Sequence, residues 1–122
     1  MTEKFTNPAP DKALGVPAAG TVDLQANDLE WQETGSEGFW LKPLFESPGN
    51  GLKMWLMKVD PGAFSPEHCH AEIEQIYVLE GSFYDQHKNY GPGAMIVRAP
   101  EAMHEAGSAS GALMIVSYAP AR

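Results

Sequence analysis

The strongest constraint on this chain's fold is how often its apolar runs are interrupted. Beyond residue 20, each run ends after a few residues at a cluster of turn formers. These clusters are Ser47-Pro48-Gly49-Asn50-Gly51, Asp60-Pro61-Gly62, Asp85-Gln86-His87-Lys88-Asn89 and Gly91-Pro92-Gly93. Each supplies the fixed φ of proline or the positive φ open to glycine and asparagine that tight turns require. The runs between them read as strands: Thr21–Gln25, Gly38–Phe45, Leu52–Val59, Ile73–Tyr84, Ala94–Arg98 and Ala112–Tyr118. Only Asn27–Gln32 has weak helical character, which leaves no room for the crossover helices of a parallel sheet. The expected fold class is therefore all-β, an antiparallel barrel or sandwich. At 122 residues it forms a single domain.

Charge and cysteine usage narrow the function. A net charge of −8 opposes phosphate backbones and anionic lipid, so neither nucleic acid nor membrane is an expected partner. The single cysteine, Cys69, has no partner for an internal disulfide, and residues 1–20 lack the basic start and continuous apolar stretch of a signal peptide. No segment approaches the roughly 20 apolar residues of a membrane helix. A soluble, cytoplasmic protein is expected. Pro8, Pro10 and Pro17 make residues 1–20 an extended or disordered arm, and residues 21–122 form the β-barrel domain.

The chemistry is concentrated between Gly62 and Gly81. His68 and His70 flank one residue, and on a strand such a pair shares a face, so both imidazoles aim at one point while Cys69 points away. Glu74 opens the next strand, and a hairpin would set its carboxylate beside the two histidines. His68, His70 and Glu74 together with Gly62 and Gly81 at these five fixed positions arise by chance on the order of once in 10,000 chains of this length. Glu72 reads as solvated, and His87 as an exposed turn residue.

Gly62, His68, His70, Glu74 and Gly81 reproduce G-x5-H-x-H-x3-E-x6-G, and with it the chain resembles the cupin superfamily, the double-stranded β-helix barrels. A looser second motif is similar to Gly91-Pro92-Gly93, Pro100 and His104. Here the Pro100 to His104 interval is one residue shorter than usual, Ala102 replaces a common glycine, and Ser108 stands where germin-like members carry asparagine. The resemblance implies His104 as a fourth metal ligand beside His68, His70 and Glu74. Within the superfamily, Phe39–Leu44, Tyr77–Phe83 and Ala99-Pro100 look like the cupin domain of ChrR-type anti-sigma factors and like small dioxygenases that cleave dihydroxyacetophenone-type ketones. Residues 1–20 contain no His or Cys, so the zinc-binding helical domain of the former has no counterpart, which disfavours sigma-factor inhibition.

Three imidazoles and a carboxylate suit one divalent metal ion, Fe(II), Mn, Ni or Zn, and ligand type alone does not choose between them; Fe(II) is favoured by the activity expected next. The expected activity is that of a non-haem dioxygenase acting on a small ketone or diketone. A ChrR-like sensor without catalysis and a metal-dependent isomerase or lyase are the alternatives. Arg98 either fixes a substrate oxygen or forms an outward salt bridge, and Tyr77 faces away from Glu74; neither is placed in the site. A homodimer is expected by analogy with cupins.

Overall fold

In the computed structural model, which describes residues 12–121, ten strands form two antiparallel sheets. In chain order they are β1 (Gln32–Glu33), β2 (Phe39–Ser47), β3 (Leu52–Val59), β4 (Phe64–His68), β5 (Ile73–Gly81), β6 (Phe83–Tyr84), β7 (Asn89–Tyr90), β8 (Met95–Arg98), β9 (His104–Gly107) and β10 (Ala112–Ala119). Six make one sheet in the order β1-β2-β3-β10-β5-β8, and four make the other in the order β4-β9-β6-β7. The only helical turns among the described residues are the short 3-10 turns Ala26–Asp28 and Pro48–Asn50. No helix among them is long and apolar enough to cross a membrane.

Strand β10 shows how alternation builds the core. Ala112, Met114, Val116 and Tyr118 are buried, while Leu113, Ile115 and Ser117 between them lie on the outer face. The buried set meets Ile76 and Val78 of β5, Ile96 of β8 and Phe39 of β2, with Phe83 and Ala106 contributed by the opposite sheet. One face of each sheet is thus apolar, and the two close on each other.

Several strand expectations need correction. Thr21–Gln25 belongs to no strand among the described residues, although Val22 and Leu24 are half-buried and alternate with exposed neighbours. The weak helix at Asn27–Gln32 reduces to the turn at Ala26–Asp28, and Gln32 already belongs to β1. Ile73–Tyr84 is two strands in different sheets, β5 and β6. Gly81 makes the break at φ +78°, where a Cβ would collide with the carbonyl of Gly111. Strand β4 is foreshadowed only by the strand spacing of His68 and His70, which it contains only as far as His68, and β9 is not among the expected strands. Nor do β4 and β5 form a hairpin: β4 pairs with β9, and the chain then crosses to the other sheet. Of the expected arm, residues 1–11 lie outside the described residues. Leu14 docks on β2, donating its amide to Leu44 O at 2.9 Å and accepting from Glu46 N at 2.8 Å.

Candidate metal centre

The site forms where the ends of β4 and β9 meet the start of β5. In β4, Ser65 pairs with Ala106 and His68 with His104, so three steps along β4 match two along β9. This bulge puts His68, rather than Glu67, opposite His104. It falls at Pro66, on an edge strand where a residue without an N–H is tolerated. His70 follows in the loop, whose position is fixed by a 2.7 Å hydrogen bond from Glu101 N to His70 O. Glu101 accepts a left-handed φ of +67° there. That strain goes with the shortened interval between Pro100 and His104.

The three imidazoles converge. Ring centroids are 4.3 Å apart for His68 and His104, 5.2 Å for His68 and His70, and 5.6 Å for His70 and His104. One ring nitrogen from each lies within 4.8 Å of the other two. His68 Nδ1 is 2.8 Å from Pro66 O, and His104 Nδ1 is 3.2 Å from Ala102 O. A carbonyl only accepts, so both rings donate through Nδ1–H and keep the Nε2 lone pair free. Orientation of this kind is typical of ligating histidines. Burial pushes His104 below the ordinary imidazole value, outweighing the contributions of Ala102 O and Glu74, which raise it. The neutral imidazole is the form that binds a metal.

Glu74 is buried beside them, with Oε2 3.5 Å from His70 Nε2 and Oε1 3.6 Å from His104 Nε2. Its carboxylate is also held from two sides. Arg98 Nε donates to Oε1 at 3.1 Å, and Tyr118 OH donates to Oε2 at 2.8 Å. The structure therefore brings His68, His70, Glu74 and His104 together. His87 is exposed, Glu72 pairs with Lys53 at 3.7 Å, and Tyr77 lies on the outer face at 44% exposure.

Arg98 is neither an outward surface residue nor free to bind a substrate. Its side chain is 10% exposed and bridges Glu74 to Asp85, which its Nη1 reaches at 2.9 Å. The alternation that buries Ile96 also turns Arg98 inward, a sign legible in the sequence. Tyr118 could have been found in the same way from Met114 and Val116. Asp85 had no such signal, since it reads as one more turn residue.

The four residues lie at one end of a cavity of about 420 Å³ between the sheets. Its walls are mainly apolar, with Phe39, Leu41, Trp55, Met57, Phe83 and Met114 prominent. No Lys or Arg among the described residues lines it.

Two sheets closed over a histidine-bearing cavity define the class: this is a cupin-type β-barrel. The chain belongs to the family of the ChrR Cupin-like domain, whose profile it matches over residues 20–122. It is similar to the solved structure of KdgF from Halomonas sp., with 25% identity over 82% of this chain and 95% of that one and a TM-score of 0.69. An RmlC-like cupin from Shewanella frigidimarina gives 25% identity over 82% and 91% of the two chains, with a TM-score of 0.71. The structure of Rhodobacter sphaeroides SigE in complex with the anti-sigma ChrR matches in fold, with 22% identity over 77% of this chain and 51% of that one and a TM-score of 0.66. Among curated proteins, no sequence matches significantly.

Proposed function

We propose that this cupin holds one divalent metal ion, Fe(II) by preference, through His68, His70, His104 and Glu74, and acts as a dioxygenase on a small ketone or diketone. The observation that carries the reading is the convergence of three imidazoles, two of them oriented through Nδ1, at an apolar cavity. When bound, the ion supplies Lewis acidity toward a substrate oxygen and, as Fe(II), electrons for dioxygen chemistry. The chain's own residues supply the rest. Nε2 of His68 and His104 is directed by the Nδ1 hydrogen bonds, and the apolar walls take up the substrate body and exclude water. With no Lys or Arg of the described residues on those walls and a net charge of −8, the cavity favours an uncharged substrate over a polyanion.

Fold neighbours include proteins described as the polyketide cyclase RemF and the DMSP lyase DddQ, so this barrel is found in enzymes. Membership in the ChrR Cupin-like family supports a second reading, a sensor that binds metal or ligand without turnover. Anaerobic purification, metal analysis and oxygen-uptake assays with β-diketones and hydroxyaryl ketones separate the two. Oxygen uptake dependent on Fe(II) and a diketone is expected. Zinc-only protein that stays inert after reconstitution with Fe(II) would favour the sensor.

The chain is further proposed to form a homodimer. Four apolar side chains support this by clustering on the outer face of β5 and β8: Tyr77, Leu79, Met95 and Val97, with Tyr77 opposite Met95 in register.

A further inference from the structure

Glu74 sits in the middle of a row across the six-stranded sheet. In register it faces Tyr118 of β10 on one side and Arg98 of β8 on the other. Residues directly opposite on neighbouring strands are close enough for their side chains to interact. Both neighbours donate to Glu74, one to each carboxylate oxygen. Arg98 is anchored in turn by Asp85, in the β6–β7 turn of the other sheet. Asp85 Oδ1 accepts from the amides of His87 and Lys88 at 2.8 and 3.0 Å, and Oδ2 from Arg98 Nη1 and Tyr90 OH at 2.9 and 3.3 Å.

We propose that Arg98, locked by Asp85, and Tyr118 are positioning residues that preset the Glu74 carboxylate as a metal ligand. The proposal rests on the metal-centre reading above. A carboxylate oxygen has two lone pairs. One on each Glu74 oxygen is taken by Arg98 or Tyr118, and this fixes the plane of the group and leaves a single lone pair per oxygen. The carboxylate is then oriented before the metal arrives, much as the Nδ1 hydrogen bonds orient His68 and His104.

Stability alone gives little reason for such an arrangement. A buried ion pair is commonly no more stabilising than apolar residues of the same volume. This one also leaves Arg98 Nη2 buried without a hydrogen-bond acceptor among the described residues, which carries a cost of its own. Arg98 does not line the cavity, so it makes no contact with a substrate there. What it does touch is the proposed ligand.

The test is Co(II) titration of the full chain, followed by visible absorption and by competition with a chelator. The double variant Asp85→Asn/Arg98→Met removes Arg98 without leaving Asp85 as an unpaired buried charge, while Glu74 loses the guanidinium and keeps the Tyr118 hydroxyl. It should bind Co(II) roughly 10- to 100-fold more weakly than the native chain, with an altered visible spectrum. Tyr118→Phe keeps the ring in the core, removes only the hydroxyl, and should shift affinity and spectrum the same way, which keeps the test open if the double variant fails to fold. Native affinity and spectrum in a folded variant would overturn the proposal while leaving the metal centre intact. A native chain that takes up no Co(II) would overturn the metal-centre reading, and this proposal with it.

Discussion

His68 and His104 face each other across the β4–β9 ladder with ring centroids 4.3 Å apart, although 36 positions separate them in sequence. The bulge between Ser65 and His68 sets this pairing, and carbonyls two residues before each ring, Pro66 O and Ala102 O, hold Nδ1. The two strands thus present two preset candidate ligands, and His70 and Glu74 complete the proposed group as the chain crosses to the other sheet.

Acid should destabilise the metal-free protein. His104 is lowered by burial, so the unfolded chain takes up a proton at a pH where the folded chain does not. Stability is then full above the ordinary imidazole value of 6.5 and declines as pH falls from there through the folded value. Asp85 acts in the same direction further down. Burial would raise it, but the His87 amide, the Arg98 guanidinium and the Lys88 amide outweigh that and hold it below 3.8. Thermal midpoints with chelator present should fall between about pH 8 and about pH 5. A flat profile over that range would contradict the assignment of a neutral, buried His104.

Gly81→Ala should cost about 2 kcal/mol, because alanine would need a left-handed φ in addition to relieving its clash with the Gly111 carbonyl. Gly49→Ala is the control: a Cβ there meets nothing within 4 Å, and its effect should stay within about 0.5 kcal/mol. Urea midpoints at constant slope measure both. Equal midpoints for the two variants would show that the turn between the sheets does not depend on Gly81.

Sedimentation at micromolar concentration should give a dimer. Replacing Met95 and Val97, 57% and 63% exposed on β8, with lysine should give a monomer that retains its β-sheet signal. A native monomer would remove the proposed pairing, and a dimer unaffected by the substitutions would move it to another face.

The sequence made the central sheet legible because its strands alternate cleanly between sharp breaks, as in Ala112 to Tyr118 between Gly111 and Pro120. Strand β4 shows in the sequence only through the spacing of His68 and His70, and β9 not at all, because the site itself occupies both strands. Pro66, Glu67, His68, His104 and Glu105 replace the apolar alternation by which strands are recognised. Spacing alone brings out His68, His70 and Glu74, but not the path by which they converge. A regular strand would carry both histidines, whereas β4 ends at His68 and depends on a bulge. A hairpin would carry Glu74, whereas it lies in the opposite sheet. Thr21–Gln25 shows the converse, since alternating burial does not by itself make a strand among the described residues. The Arg98 to Asp85 link had to await the structure, because nothing local indicates that a turn aspartate reaches a strand 13 residues away.

The most direct test of the central claim is divalent metal content after loading and desalting, compared among the native chain, His104→Ala and His87→Ala. The account predicts one ion per chain in the native protein and in His87→Ala, and a sharp loss in His104→Ala, matched by His70→Ala and Glu74→Ala. Full metal content in His104→Ala would contradict it, because the ligand contributed by β9 would then play no part in holding the ion.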